Sequence, residues 1–388
     1  MGILLGGIRV EILSLMLARI IYTINWFNIA SIFYLIALDF REDIAMLGII
    51  SASFLIGVGL FQVPAGIIAA KYGLRNMAIY GIMIASTAAL VTGLVSGTMQ
   101  ITILRFLIGI GMACFFGPSV MLVSKYLGKE SEGLGIGLLN SAHALGGIVG
   151  LFGWVVLAEA LGWRASLILS GGLGIATAIM LSRALLKEEV KVSEEFRIKI
   201  SDISKTIFNK SLIILGFTLL GFQAGSSMIL TFSVFYFVDH LNIHPVDAGL
   251  IASLSLVVAL VSSPLFGKIY DKIGNAKKLL FISGIVSAIS IVGFATDSLY
   301  IIIISVVITG LFLSAGFVIV YAKAKEINKS QSQYQTLAVS YVNGLSLFGV
   351  FWIPVLFSIV VNRVGYEIAW LLGGVTMIFL VLPVLKLK

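Results

Sequence analysis

The chain has 388 residues, of which 59% are hydrophobic and 11% are charged, and its formal net charge is +8. Soluble globular proteins carry about 25% charged residues, so this chain has too few polar side chains to cover a water-exposed surface. The same composition excludes a disordered chain, and the single Cys114 excludes a disulfide-rich secreted scaffold. These figures predict a polytopic membrane protein.

Apolar segments of about 20 residues, the length that crosses a bilayer, recur twelve times along the chain. The longest polar stretch, residues 185–210, separates six of them from the other six. The first segment is too long for a cleavable signal peptide and has no A-x-A-like site, so we expect it to remain as a helix. The predicted spans are 13–38, 45–69, 77–97, 99–124, 134–158, 164–184, 211–237, 247–267, 278–296, 299–322, 336–361 and 366–385.

The positions of the basic residues predict the orientation of these spans. If both termini are cytoplasmic, every lysine falls on the inner side, and the outer loops hold only Arg41, Arg164 and Arg363 among mostly acidic residues. This asymmetry follows the positive-inside rule. We therefore expect a multi-pass protein of the cytoplasmic membrane. The positive charge then reflects topology, and no nucleic-acid partner is expected.

Small and polar residues repeat between the two halves of the chain. At a shift of 201 residues, Gly66, Lys71, Gly73 and Gly109 match Gly267, Lys272, Gly274 and Gly310. At a shift of 203 residues, Asn140, Gly146, Gly162 and Gly171 match Asn343, Gly349, Gly365 and Gly374. Parallel six-helix repeats are typical of transporters whose solute site lies between the halves. The predicted division is a bundle over 1–184, a cytoplasmic loop over 185–210 and a bundle over 211–388.

Two loops and one helix carry recognisable motifs. The loop after the second span reads GIIAAKYGLR (66–75), and the loop after the eighth reads GKIYDKIGNAK (267–277). The fourth span contains RFLIGIG (105–111). These segments resemble the G-x-x-x-D-[RK]-x-G-[RK]-[RK] and R-x-x-x-G-x-G signatures of the major facilitator superfamily, and the resemblance extends over essentially the whole chain.

The resemblance implies an all-α membrane fold, with twelve transmembrane helices in two six-helix bundles related by pseudo-twofold symmetry. It also implies a secondary transporter rather than an enzyme, with both signature loops acting as gates. Ala70 occupies the position of the family's acid in the first loop, so only Asp271 retains it, and a plain turn is the alternative for residues 66–75. The gating candidates are Gly66, Lys71, Gly73, Arg75, Gly267, Asp271, Lys272 and Gly274.

Three ionisable side chains lie at membrane depth: Arg19, Arg105 and His143. No carboxylate lies near the middle of any span, so neither arginine has an obvious acidic partner. Arg19 is near the cytoplasmic end of its span, where snorkelling is the alternative to a buried role. Arg105 suits either helix positioning or solute contact. His143 has an ordinary pKa near neutrality, so it is a candidate for proton coupling, and an interhelical hydrogen bond is the alternative.

Uncharged polar residues mark a candidate cavity. The resemblance implies that the first, fifth, seventh and eleventh helices line it, although any one of these residues could instead bond a neighbouring helix. Gly146 and Gly150 additionally form a small-xxx-small pair typical of helix packing. The candidates for solute contact are Tyr22, Asn25, Trp26, Asn28, Arg105, Asn140, His143, Gln223, Ser226, Asn343 and Ser346.

These features predict a secondary active transporter that moves a small polar solute by alternating access, with an organic anion favoured because the arginines lack acidic partners. A hydrophobic-drug exporter of the same fold is the first alternative, with partial support from Trp26, Phe222 and Met228. A solute receptor without transport is the second. We expect the protein to be a monomer in the lipid bilayer. Its expected partners are a small-molecule solute and, if transport is coupled, protons. No G-x-x-x-x-G-K-[ST] loop occurs, so ATP is not expected to drive the protein directly and no cofactor is expected. No metal is expected either, because His240 and His244, which have a metal-ligand spacing, lie on a short outer loop.

Overall fold

The computed structural model describes residues 4–5, 8–127, 132–185, 206–327 and 332–387. Within these ranges, twelve helices are long and apolar enough to cross a membrane, as the hydropathy pattern predicted. The only strands in the same ranges are Leu4–Leu5 (β1) and Ile8–Arg9 (β2), which pair antiparallel. The predicted all-α membrane fold is confirmed. Residues 186–205 of the predicted central loop lie outside the described residues.

The α-helical segments of the first half of the chain, within the described ranges, are α1 (Val10–Ser31), α2 (Phe33–Phe40), α3 (Ile44–Tyr72), α4 (Leu74–Thr92), α5 (Thr98–Leu127), α6 (Glu132–Ile148), α7 (Trp154–Leu161) and α8 (Trp163–Ala184). A π-helical turn, Val149–Gly153, joins α6 to α7, so these two segments form one spanning helix.

Within the described ranges, the second half contains seven α-helical segments. They are α9 (Lys210–Asp239), α10 (Pro245–Ile273), α11 (Ala276–Val292), α12 (Leu299–Ile327), α13 (Ser332–Val350), α14 (Trp352–Val364) and α15 (Tyr366–Val381). Short 3₁₀ turns, Gly293–Thr296 and Leu382–Lys386, follow α11 and α15. Asn209 begins this half as an N-cap, since its side chain accepts hydrogen bonds from the N–H groups of Ser211 and Leu212.

Three predicted spans are interrupted where the sequence indicated continuous helices. The first, 13–38, is broken at Ile32, whose N–H bonds the carbonyl of Ile29 in a tighter i→i−3 pattern. The fifth, 134–158, contains the π-helical turn. The eleventh, 336–361, is broken at Phe351. Pro354 explains this last break, because it has no N–H to offer the carbonyl of Val350.

Four glycines adopt positive φ angles in the described part of the chain, and each lies in the turn between the end of one helix and the start of the next. Gly73 (φ +92°) and Gly274 (φ +67°) make the turns in the two signature loops, and Gly162 (φ +82°) and Gly365 (φ +91°) make the turns before α8 and α15. The members of each pair are repeat-related in the sequence. Only glycine adopts such angles without strain, which explains why these landmarks recur.

The structure divides into two compact units. The first consists mainly of α1–α8 and the second mainly of α9–α15, except that residues 43–48 group with the second unit and residues 244–249 with the first. Within the first unit, α1 packs against α6 and α8, and α4 packs against α5 and α8. Within the second, α9 packs against α13 and α15, and α11 packs against α12 and α15. The two units thus use repeat-related helix pairs.

The contact between α1 and α6 depends on glycine. A Cβ atom added to Gly146 would lie 2.5 Å from the carbonyl oxygen of Ile20, and one added to Gly150 would lie 3.2 Å from that of Ile24. The small-xxx-small pair predicted from the sequence therefore lets the backbones of α1 and α6 approach closely.

We expect Gly146→Ala to lower the thermal stability of the purified protein, because its methyl group would meet backbone rather than a flexible side chain. Overpacking of this kind costs about 1–3 kcal/mol. The matched control is Gly172→Ala on α8, where an added Cβ meets no atom within 4 Å. Equal melting temperatures for the two variants in detergent would contradict the close approach.

Candidate solute-binding site

The polar residues of α1 point to two different neighbours rather than forming one cluster. Asn28 Nδ2 donates to Asn25 Oδ1 (3.3 Å) and to Ser170 Oγ of α8 (3.2 Å). Both asparagines are almost completely buried, so this network joins α1 to α8. The Nδ2 atom of Asn25 is buried and has no hydrogen-bond partner among the described residues.

Arg19 and Tyr22 occupy another part of α1, facing α5. The guanidinium carbon of Arg19 lies 4.3 Å from the ring centroid of Tyr22 and 4.9 Å from that of Phe116 on α5. Arg19 is only 7% exposed, so the snorkelling alternative is wrong. Its Nη1 is buried without a hydrogen-bond partner in the described ranges. The aromatic faces attract the cation, but this N–H still has no acceptor.

His143 is joined to the same region through a residue that the sequence analysis did not single out. Its Nδ1 lies 2.8 Å from Thr23 Oγ1, and the Thr23 hydroxyl donates to the backbone carbonyl of Arg19 (3.0 Å). A hydroxyl has one hydrogen. When Thr23 gives that hydrogen to the Arg19 carbonyl, Nδ1 of His143 must be the donor to Thr23, and Nε2 then carries the lone pair. The only sequence signal for Thr23 is its place one helical turn after Arg19.

Arg105 connects α5 to the middle of α1. Its Nη1 donates to the carbonyl oxygen of Asn25 (2.8 Å), its Nη2 donates to that of Trp26 (3.2 Å), and its guanidinium lies 4.4 Å from the Phe54 ring centroid. The Trp26 ring packs edge-on against the same phenylalanine. Both terminal nitrogens are thus bonded to backbone, and this geometry favours the helix-positioning interpretation.

In the second unit, the structure pairs one predicted site residue with an unpredicted tyrosine. The Tyr321 hydroxyl of α12 donates to Asn343 Oδ1 of α13 (2.9 Å). Ser346 is fully buried and donates to the backbone carbonyl of Asn343 (2.8 Å). Gln223 and Ser226 are half-buried on α9.

Asn140 on α6 is exposed, unlike the asparagines of α1. An amide exposed to hydrocarbon would lose its hydrogen bonds at considerable cost. We therefore expect Asn140 to contact water or solute rather than lipid.

The first signature loop is fixed to the end of α8. Arg75 Nε donates to the carbonyl oxygen of Leu185 (2.7 Å), and its Nη2 donates to that of Ser182 (2.8 Å), so Arg75 satisfies carbonyls that have no partner within the helix. In the second loop, Asp271 and Lys272 are exposed at the end of α10. Gly66 and Gly267 lie inside α3 and α10, and the side chain of Lys71 lies outside the described residues.

We expect Arg105→Lys to destabilise the protein, because one ammonium group cannot replace the fork of donors that reaches two carbonyls of α1. Losing a charge-assisted hydrogen bond costs about 1.5–3 kcal/mol. The control is Arg183→Lys at the exposed end of α8. A melting temperature equal to that of the control would show that Arg105 does not hold α1.

Comparison with known proteins gives one family. The family model of the Major Facilitator Superfamily matches residues 15–240 and 215–388. Among relatives, the nitrite extrusion protein of Bacillus subtilis (strain 168) is 25% identical over 66% of this chain and 64% of its own length. The probable nitrate transporter NarT of Staphylococcus epidermidis is 25% identical over 88% of this chain and 86% of its own. The match to the Bacillus protein thus spans less than two thirds of that relative.

Solved structures show the same fold. A mutant form of the nucleoside transporter NupG superposes with a TM-score of 0.81 at 13% identity, covering 97% of this chain and 99% of that one. A bacterial homologue of the human lysosomal transporter Spinster gives 0.77 at 16% identity, covering 97% and 94%. At such low identity these structures support the architecture alone. Since the two family matches together cover residues 15–388 and the described chain has twelve apolar helices, this multi-pass integral membrane protein belongs to the Major Facilitator Superfamily of secondary transporters.

Proposed function

We propose that the protein is a secondary active transporter that moves a small polar anion across the cytoplasmic membrane by alternating access. Residues 1–184 and 211–388 would be the two alternating halves of a monomer, with both termini in the cytoplasm. The observation that carries the proposed solute class is the buried Arg19, whose Nη1 donor has no hydrogen-bond partner among the described residues.

The positive charge of Arg19 favours an anionic solute. Arginines inside a membrane are rare and are normally paired or bonded to backbone. Arg105 satisfies this requirement through two carbonyl groups, but Arg19 has no carboxylate partner in the ion pairs of the described chain, which involve Arg164, His240 and Lys323 near helix ends. A guanidinium presents several donors in a fixed fork that suits oxygen pairs of carboxylates and other oxoanions. A solute of that chemistry would supply both the charge and the acceptor.

The names of several relatives agree with this solute class. They include the nitrite extrusion protein, the probable nitrate transporters and a probable sulfoacetate transporter of Cupriavidus necator. Others are a multidrug resistance protein and a putative proline/betaine transporter. The drug-exporter alternative has less support from packing, because Phe222 and Met228 are buried inside the second unit, with the Phe222 ring against Gly316.

We further propose that His143 couples solute movement to protons. Thr23 occupies Nδ1 of the imidazole, so Nε2 can accept a proton without breaking that hydrogen bond. A proton bound there together with a monovalent anion would make the transported pair electrically neutral.

We expect reconstituted wild-type protein to take up at least one of labelled nitrite, nitrate and sulfoacetate, and Arg19→Gln to lower that uptake. A decrease of about tenfold corresponds to about 1.4 kcal/mol of solute binding. The control, Arg363→Gln, removes an exposed arginine near the end of α14. Unchanged uptake in Arg19→Gln would refute the anion site, and binding without uptake, exchange or efflux would favour a receptor.

The coupling proposal predicts a specific response to pH. A gradient of one pH unit supplies about 1.4 kcal/mol per proton, so one-proton symport should accumulate the anion about tenfold in vesicles that are alkaline inside. His143→Gln should abolish this accumulation and retain solute exchange, whereas His244→Gln in an exposed outer loop should behave as wild type. If the wild type accumulates the anion to the same extent with and without the pH gradient, proton coupling is contradicted.

A further inference from the structure

We propose that Tyr321 is a positioning residue for solute selectivity: by donating to Asn343 Oδ1, it turns the amide so that its NH₂ donors, rather than its oxygen, point towards the solute. This inference rests on the proposed transport function. It adds a rule for discrimination, since an amide that is free to rotate offers a donor or an acceptor equally well.

The position of Asn343 suits contact with a solute pathway. Asn343 is half-buried on α13, whereas the next exposed apolar residue of that helix is Phe348, which is 60% exposed. Five residues correspond to a rotation of about 140° around a helix. The amide of Asn343 therefore points well away from the helix surface on which Phe348 is exposed. A half-buried amide on a lipid-facing surface would leave its N–H groups without acceptors. We therefore infer that Asn343 faces water and solute.

The direction of the Tyr321 hydrogen bond fixes the orientation of the amide. The phenolic oxygen lies 2.9 Å from Oδ1, and this is the acceptor that the structure gives to the Tyr321 hydrogen. If the amide were reversed, Nδ2 would donate to the phenolic oxygen, and the phenolic hydrogen would lose that acceptor. Leaving a donor of this kind unpaired away from water is unfavourable, so the arrangement with Oδ1 against Tyr321 is preferred.

The remaining group has a definite polarity. With Oδ1 turned towards Tyr321, the end of Asn343 that points away from the tyrosine is its NH₂ group, which has two donors and no acceptor. Carboxylate, nitrate or sulfonate oxygens can accept these hydrogens. A solute that presents its own N–H or O–H at this point would bring donor against donor, and such unpaired polar groups are a strong means of rejection.

The repeat-related amide in the first unit has no equivalent partner. Asn140 corresponds to Asn343 at a shift of 203 residues. Tyr321 lies on α12, whose Gly310 matches Gly109 at a shift of 201 residues, and that shift takes Tyr321 to Val120, which has no hydroxyl group. Asn140 is also exposed and makes no hydrogen bond to another described side chain. Its amide can rotate to suit the solute, so we assign the orientation-dependent selectivity to the second unit.

The test measures uptake into proteoliposomes of whichever of nitrite, nitrate and sulfoacetate the wild type carries fastest. Tyr321→Phe keeps the ring and removes the hydroxyl, and Tyr300→Phe is the matched control at an 84% exposed position of the same helix. We expect Tyr321→Phe to raise KM about fivefold, the size expected for one hydrogen bond, with little change in kcat. Tyr300→Phe should leave both constants unchanged.

A second readout separates orientation from mere structural support. Acetate and acetamide have nearly the same shape, but acetamide replaces one acceptor oxygen by an NH₂ donor. Both are tested as competing inhibitors of probe uptake, and the measured quantity is the ratio of their inhibition constants. This ratio should be largest in the wild type, and Tyr321→Phe should reduce it about fivefold through the lost hydrogen bond. A variant that had only become less stable would lower uptake without changing the ratio.

Asn343→Asp provides the opposite change, because it keeps an oxygen for Tyr321 and replaces the donors by an acceptor. We expect it to abolish uptake of the anionic probe, whereas Asn242→Asp, the same exchange in an exposed outer loop, should not. If the wild type carries the probe and Tyr321→Phe leaves KM and the inhibitor ratio unchanged, this inference is wrong and the transport function stands. If the wild type neither carries nor binds any of the three probes, both this inference and the proposed transport of small anions are wrong.

Discussion

In the hydrocarbon interior of a bilayer, every polar group must find its hydrogen-bond partner inside the protein or in a bound solute. Much of the described structure follows from this constraint. Arg105 reaches two backbone carbonyls of α1, Asn28 bonds both Asn25 and Ser170, and Thr23 joins His143 to the Arg19 carbonyl. Through Arg105, Ser170 and His143, these contacts join α1 to α5, α8 and α6, so the polar residues position that helix within the first unit.

The exceptions to the constraint are therefore informative. Nη1 of Arg19 and Nδ2 of Asn25 are among the buried donors without partners in the described residues, which also include Nε of Arg105, and the oxygen of Asn343 accepts from Tyr321. An acceptor-rich anion is the natural complement of such groups. The two units hold different groups, since the first has the buried cation and the imidazole, and the second has the Tyr321–Asn343 pair.

The sequence was sufficient for the architecture because hydropathy, basic-residue bias and turn glycines are local signals. Twelve spans and the family resemblance were predicted from them, and the four positive-φ glycines fall at repeat-related landmarks. Finer features of the helices were not predictable in this way. A span that is apolar throughout gives the same hydropathy whether or not it is interrupted, so the break at Ile32 and the π-helical turn at Val149–Gly153 left no hydropathy signal.

For the candidate site, local sequence signals predict which residues are present but not what they contact. The sequence alone determined which polar residues lie at membrane depth, since a lone Arg19, Arg105 or His143 stands out from apolar neighbours. Only the tertiary structure decided what each one contacts. Thr23 and His143 are 120 residues apart in the chain, and Asn343 depends on a tyrosine of another helix. A hydrogen bond requires two groups within about 3 Å of each other, and helix packing, rather than residue type, brings these groups together.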